Sequence, residues 1–200
     1  MAGRNGVKTQ NGAAEFTLTQ DETERLIGAA GNLRNRVLVE LLAFTGLRRE
    51  EAVNLDIEDV DLTRLRLVVC SGKGGKSRVV PFNDRWAADV KALCGKRQRG
   101  PVFLSTHGKG QRLDVRAVNY ILTTAGKEAG LTNPNPRRVG INPHLLRHSF
   151  ARYYLAQGGD LRKLSQILGH ESVAITHAIY GTASEEEIGA EYARIMGKLR

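Results

Sequence analysis

The first candidate site is a run of histidine and arginine side chains, His144-Leu145-Leu146-Arg147-His148. His144 and Arg147 are three residues apart, so on a helix they share a face and can reach one ligand. His144 and His148 have the spacing of a zinc-binding helix, but Leu145 stands where a zinc protease has glutamate. We therefore predict no metal at this site, and we interpret His148 as a packing or hydrogen-bonding residue.

A second candidate pair lies near position 48. Arg48 directly follows Thr45-Gly46-Leu47, where the glycine ends an apolar helix. A charge at such a place is rarely buried without a partner. Glu51, three residues later, can hold its guanidinium, although the two can equally form an ordinary surface ion pair.

A glycine-rich turn, 71–76, carries two further cations, Lys73 and Lys76. The β-rich runs on either side of it predict a β-hairpin. The end of this turn looks like a P-loop, but Cys70 stands where that motif has glycine, and a strand follows instead of a helix. Nucleotide hydrolysis is therefore excluded. A lysine at a hairpin tip remains, which is either solvated or reaches a neighbouring groove.

The elements that position these residues read as a mainly helical α+β fold with one small antiparallel β-sheet. Asn142 as N-cap and Pro143 in the first turn are a strong signal for the start of a helix. Predicted helices lie near 19–30, 33–44, 48–55, 84–93, 114–129, 142–157, 160–169, 172–180 and 184–199. Predicted strands lie at 65–69 and 78–82, and Val60 to Leu62 can add a third.

Length, composition and charge limit the classes of protein that fit. Two hundred residues with 41% apolar side chains make one ordinary domain, which we place at 15–200 after a disordered leader at 1–14. A net charge of +9 attracts polyanions, of which nucleic acid is the commonest. The longest apolar run is broken by Glu40, so no membrane span is expected. Cys70 and Cys94 match no disulfide framework and no zinc spacing, and this usage fits the cytoplasm.

The stretch from 96 to 116 is densely basic, with Asp114 as its only acidic residue. Such a segment is either a solvated loop or a track that binds DNA phosphates. Its candidate DNA-binding residues are Arg97, Arg99, Arg112 and Arg116, and Lys76 of the glycine-rich turn joins them.

Five fragments, met in order along the chain, together resemble the catalytic domain of the tyrosine recombinases, the phage integrase and Xer-type family. The resemblance covers about residues 16–196. The fragments are Thr45-Gly46-Leu47-Arg48 with Glu51, Gly72-Lys73-Gly74, His144-Leu145-Leu146-Arg147-His148, Leu168-Gly169-His170 and Ile179-Tyr180-Gly181.

This resemblance implies site-specific DNA recombination in which Tyr180 attacks a phosphodiester. The product is a 3′-phosphotyrosyl bond and a free 5′-hydroxyl, so the strand is rejoined without ATP. Tyr180 lies ten residues after His170, whereas some relatives have nine, and Tyr153 and Tyr154 are the rival tyrosines. We favour Tyr180 because the other two follow Arg147 on one helix.

The resemblance also implies a role for each remaining site residue. Arg48 and Arg147 would bind the phosphate oxygens as negative charge gathers on them. Lys73, in preference to Lys76, would protonate the departing 5′ oxygen. The other roles are proton transfer at the tyrosine by His144, a hydrogen bond to the phosphate from His170, and orientation of Arg48 or a neighbour by Glu51. No cofactor or metal is implied.

Full-length relatives carry an N-terminal helical domain that closes a clamp around DNA, and we expect that domain to be absent here. The implied partners are a double-stranded DNA target site and further copies of the chain, assembled as a tetramer on the DNA. Two alternatives stay open. One is a type IB topoisomerase-like nicking-closing activity, and the other is a catalytically idle DNA-binding module.

Overall fold

The elements of the structure, a computed structural model, follow the predicted order. Residues 16–70, 77–106, 108, 110–170 and 172–180 are described. In these ranges the helices are α1 (Gln20–Gly28), α2 (Leu33–Thr45), α3 (Arg49–Val53), α4 (Asp84–Cys94), α5 (Val115–Glu128), α6 (Pro143–Ala156), α7 (Leu161–Leu168) and α8 (Val173–Tyr180). The strands are β1 (Val60–Asp61), β2 (Arg66–Cys70) and β3 (Ser77–Pro81), and a 3₁₀ turn spans Ile57–Asp59. The prediction of a mainly helical α+β fold is confirmed.

Helix starts coincide with the capping residues expected from the sequence. The Thr19 side chain accepts from the Glu22 N–H at 3.2 Å, and the Glu22 carboxylate accepts from the Thr19 N–H at 2.8 Å, so α1 begins with a capping box. The Asn142 side chain caps α6 with Pro143 in the first turn. The first helix, predicted to run to about Ala30, ends at Gly28 with Ala29 as its C-cap.

The three strands form one antiparallel sheet in the order β1-β2-β3. In β2 and β3, Val68 pairs with Val79 and Leu67 with Val80, and alternate residues point into the core. The third strand is present, although it ends at Asp61 and not at Leu62. The turn with Lys73 and Lys76, the predicted leader and the terminal helix at 184–199 lie outside the described residues.

Helix α2 is the centre of the main core and packs against α1, α3, α4 and α6. Its residues from Val37 to Ala43 are buried, and the Trp86 indole N–H donates to the Val37 carbonyl at 3.0 Å. A helix buried on all sides has no polar face, which explains the continuous apolar run. Glu40 lies inside this run, fully buried, with Arg85 Nε 3.0 Å from its carboxylate. Burial raises the pKa of Glu40.

A smaller cluster joins α6, α7 and α8 beside the main core. Its buried members are Ala151, Leu164, Leu168 and Tyr180. Because α6 contacts both α2 and α7, this cluster sets the end of α7 beside Gly46, and α8 packs against α7. None of the helices in the described ranges combines the length and apolar character that a bilayer crossing requires.

Candidate active site

Five of the six predicted catalytic side chains line one cleft with a volume of about 1510 Å³. They come from separate places in the sequence: the start of α3, the first two turns of α6, the residue that follows Gly169 (the C-cap of α7), and the end of α8. The five are Arg48, His144, Arg147, His170 and Tyr180. The sixth, Lys73, lies outside the described residues. The flanking strands β2 and β3 hold the ends of its turn at Cys70 and Ser77.

Arg147 is held by uncharged groups at the base of the cleft. Its Nη1 donates to the Gly46 carbonyl at 2.6 Å, and its Nη2 donates to the Leu168 carbonyl at 2.8 Å and lies 3.0 Å from His170 Nε2. The residue is 9% exposed, and no carboxylate of the described chain forms an ion pair with it. Burial first, and then the charge of Arg48, lower the pKa of Arg147 to about 10, so it stays protonated at neutral pH.

Two glycines make room for this arrangement. Gly46 ends α2 in the left-handed conformation at φ 63°, and a Cβ there would lie 2.6 Å from Phe150. Gly169 ends α7 in the same way at φ 65°, and a Cβ there would lie 2.9 Å from the Arg78 side chain. Both turns therefore require glycine, and both aim the last carbonyls of a helix at the arginines of the site.

The imidazole of His170 is engaged on both ring nitrogens. Nε2 faces Arg147, and Nδ1 lies 2.7 Å from the hydroxyl of Thr176. Burial lowers the pKa of His170 to about 4, with the charges of Arg147, Arg48 and Arg78 acting in the same direction. The ring is therefore neutral at physiological pH.

Glu51 has a stronger partner than the one expected from sequence. Arg78 donates to both of its carboxylate oxygens at 2.7 Å, whereas the Arg48 guanidinium lies 3.2 Å away. Arg78 Nε also donates to the Ile167 carbonyl at 2.8 Å. Burial alone would raise the pKa of Glu51, but hydrogen bonds from Arg78 and from the Arg48 backbone N–H hold it below its usual range.

Sequence reasoning missed Arg78, although a signal for it was present. Arg78 is two residues before Val80 in β3, so both side chains point to the same face of the sheet. Val80 is fully buried, and the Arg78 side chain is 10% exposed. A charged residue on the buried face of a strand indicates that its charge is paired, since burying an unpaired charge is costly.

Tyr180 is buried at the end of α8. Its ring lies against that of His148, with centroids 5.3 Å apart and planes tilted by 31°. Burial raises the pKa of Tyr180, while the charges of Arg147 and Arg152 pull it down. Tyr180 and Arg147 line the same cleft. The rivals Tyr153 and Tyr154 line a different cavity, of about 510 Å³.

Two of the four predicted phosphate-binding arginines in the basic stretch are used inside the fold. Arg97 donates to the carbonyls of Pro101 and Val102. Arg112 donates to the Val53 carbonyl at 2.9 Å and forms an ion pair with Asp56 at 2.6 Å. Both guanidiniums are part-buried and turned toward the protein, and the Asp56 carboxylate neutralises Arg112, which argues against the DNA-binding role that we expected for both. Arg99 and Arg116 are exposed.

A loop that the sequence analysis did not single out contributes cations to the cleft. Arg137 and Arg138 are exposed and line it, next to Val139, which is 98% exposed. The Asn133 side chain donates to the Gly140 carbonyl at 2.8 Å and closes the base of the loop. Two arginines in a Pro/Asn/Gly loop just before a helix start were a usable signal. In the described ranges, His, Cys, Asp and Glu side chains do not gather in threes as a metal site.

Comparison with known proteins gives matches along almost the whole chain. The model of the phage integrase family matches residues 17–187. The tyrosine recombinase XerD of Mycobacterium leprae (strain TN) is 39% identical over 179 residues, covering 80% of this chain and 54% of that protein. The tyrosine recombinase XerA of Thermococcus kodakarensis is 36% identical over 189 residues, covering 91% and 64%. The chain thus spans roughly half to two thirds of the length of these relatives.

Solved structures agree with the sequence matches. The crystal structure of XerA recombinase superposes with a TM-score of 0.73 at 34% identity, over 92% of this chain and 65% of that one. The catalytic domain of bacteriophage HP1 integrase shares the fold, with a TM-score of 0.64 at 23% identity, over 92% and 96%. The chain therefore belongs to the phage integrase family and is a homologue of the Xer tyrosine recombinases.

Proposed function

We propose that this chain cleaves and rejoins DNA strands as the catalytic part of a site-specific tyrosine recombinase. Tyr180 attacks the phosphodiester, forms a 3′-phosphotyrosyl bond and releases a 5′-hydroxyl, which later attacks in reverse. One observation carries the proposal: Arg48, Arg147, His170 and Tyr180, far apart in sequence, line the same cleft.

The arginines stabilise the charge that builds up on the phosphate oxygens in the transition state. A guanidinium has five N–H groups, and the described contacts of Arg147 use three of them. The remaining two are available to a phosphate. Because neutral carbonyls hold Arg147 in advance, little reorganisation is needed when the phosphate arrives. Arg48, half exposed at the cleft wall, supplies the second cation.

Proton transfers complete the reaction. Burial raises the pKa of Tyr180, so the phenol enters the cleft protonated and must lose its proton as it attacks. His144, exposed in the first turn of α6 and lining the same cleft, assists that transfer. Lys73, with Lys76 as the second candidate, protonates the departing 5′ oxygen. No metal or cofactor takes part in this scheme.

The proposed partner is a double-stranded DNA target site, bound by copies of the chain that assemble as a tetramer in the cytoplasm. Exposed arginines contact the backbone phosphates. These are Arg99, Arg116, Arg137 and Arg138, with Lys76 from the glycine-rich turn. XerH, which shares the fold at 24% identity and a TM-score of 0.71, was solved bound to its difH substrate.

Two rival activities are separated by simple assays. A topoisomerase-like enzyme would relax supercoiled plasmid that lacks any target site, and we expect this chain not to do so efficiently. A catalytically idle module would bind DNA without forming a covalent bond. An active enzyme is favoured because five predicted catalytic residues line the cleft. These are Arg48, His144, Arg147, His170 and Tyr180.

A suicide substrate with a nick near the scissile phosphate tests the proposal. Cleavage releases a short fragment, so the covalent adduct accumulates and survives boiling in detergent. We expect the adduct with the wild-type chain and none with Tyr180→Phe. Tyr153→Phe is the matched control, because Tyr153 is half exposed and lines another cavity. An adduct with Tyr180→Phe would refute the assignment.

A further inference from the structure

The hydrogen bonds of His170 define where its proton lies. Arg147 can only donate, so Nε2, 3.0 Å from its Nη2, must accept and carries no hydrogen. A neutral imidazole has one N–H, which is therefore on Nδ1. Nδ1 lies 2.7 Å from the Thr176 hydroxyl oxygen, which accepts that hydrogen. The network thus assigns the Nδ1–H tautomer.

Thr176 connects this histidine to the helix of the nucleophile. It is fully buried on α8, four residues and about one turn before Tyr180. His170 directly follows Gly169, the residue that ends α7, and α7 packs against α8. The Leu168 carbonyl at the end of α7 also accepts from Arg147. Any shift of α8 that breaks the Thr176 contact therefore reaches Arg147 through His170.

We propose that Thr176 is a positioning residue. By accepting the Nδ1 hydrogen of His170 it fixes the orientation of the ring, so that the Nε2 lone pair anchors Arg147 before DNA binds. The placement of the Tyr180 helix is thereby tied to the phosphate-binding arginine. The consequence for catalysis rests on the proposed strand cleavage. The assignment of the tautomer is independent of that proposal.

The surrounding charges explain why the ring needs this support. Arg147 from α6, Arg48 before α3 and Arg78 from β3 all disfavour an imidazolium, and Glu51 is bound by two of these arginines. An arriving phosphate adds negative charge and reverses this balance. His170 then takes one proton from solvent at Nε2, and the hydrogen bond from Arg147 to Nε2 opens. The new Nε2–H and the released Arg147 N–H each donate a hydrogen bond to a phosphate oxygen. The Nδ1–H to Thr176 bond is unchanged, so the ring keeps its orientation in both states.

Nitrogen NMR of ¹⁵N-histidine-labelled protein tests the tautomer, with His170→Gln used to assign the signals. In the wild type we expect Nε2 to resonate as an unprotonated nitrogen and Nδ1 as an N–H. Thr176→Ser keeps the acceptor and should keep this pattern. Thr176→Val removes the acceptor, so the proton signal of the Nδ1–H should move upfield and exchange faster with solvent. A wild-type ring protonated on Nε2, or an Nδ1–H signal unchanged in Thr176→Val, would overturn the proposal.

Cleavage of the suicide substrate tests the consequence. Loss of one positioning hydrogen bond is expected to lower the cleavage rate of Thr176→Val about tenfold with DNA affinity unchanged, and Thr176→Ser should recover most of it. Thr23→Val is the control, since it also removes one side-chain hydrogen bond, in α1. A Thr176→Val rate equal to that of the wild type refutes the coupling.

The NMR and cleavage experiments together distinguish failure of this proposal from failure of the proposed function. If no variant and no wild-type chain forms an adduct, the proposed function is wrong, while the NMR result still decides the tautomer. If Thr176→Val does not fold, the Thr176→Ser spectrum and rate decide instead, because a role in accepting the Nδ1 hydrogen requires both to match the wild type.

Discussion

Arg147 and Arg78 are both largely buried near the end of α7, but they are held in opposite ways. Arg147 donates to two backbone carbonyls and to a neutral histidine, and it lines the cleft. Arg78 forms a two-pronged ion pair with Glu51, both side chains being 10% exposed. An arginine held by neutral dipoles keeps its full charge for a ligand, whereas one held by a carboxylate is neutralised and holds the structure together.

The two arginines also meet on the same short segment, which links their roles. The Ile167 carbonyl accepts from Arg78 and the Leu168 carbonyl accepts from Arg147. The carbonyl end of α7 carries partial negative charge, so it favours cations there. The segment thus holds Arg78 and Arg147 side by side, and His170 follows two residues after Leu168.

The largest effect in this comparison is expected at Arg147. Arg147→Ala should lower the cleavage rate about a thousandfold, or about 4 kcal/mol, because its charge acts mainly on the transition state. DNA affinity should stay close to that of the wild type. Single-turnover cleavage and a binding titration measure the two. Equal losses of cleavage rate and DNA affinity would show that Arg147 mainly holds the DNA in place.

A smaller but still large effect is expected at the ion pair. Arg78→Met alone leaves Glu51 buried without its main partner and should lower the free energy of unfolding by about 3 kcal/mol. The double variant with Glu51→Leu has no orphaned charge and should regain part of this loss. Urea unfolding measures both. Additive losses would show that the pair does not act as a unit.

Whether a feature could be predicted from the sequence depends on how far apart its residues lie along the chain. Caps, helix order and the hairpin follow from local residues, so Thr19, Asn142 and the strand pairs were predictable. The Arg78 to Glu51 pair joins residues 27 positions apart, and the Arg147 to Gly46 bond joins residues 101 apart. No local pattern specifies such partners.

The same limit applies to charges that the fold uses internally. Glu40 interrupts an apolar run in the sequence, and only the packing of α2 against four other helices shows that its side chain is buried. Arg97 and Arg112 read as part of a phosphate track because charge density alone does not reveal which donors the fold itself uses. Family resemblance supplied the cleft residues, since only a known fold brings them together.

The smallest expected effect separates two neighbours in the basic stretch. Arg99 is exposed, so Arg99→Ala should weaken binding to all DNA sequences and reduce the salt dependence of log K by about 1. Arg97 is part-buried, with its guanidinium turned inward to the Pro101 and Val102 carbonyls, so Arg97→Ala should leave that slope unchanged and lower stability instead. DNA-binding titrations over a range of salt concentrations, with thermal unfolding alongside, distinguish the two variants. If Arg97→Ala reduced the slope as much as Arg99→Ala, an arginine that faces the protein interior would still contact DNA phosphates, and the burial of a guanidinium would not decide whether it binds DNA.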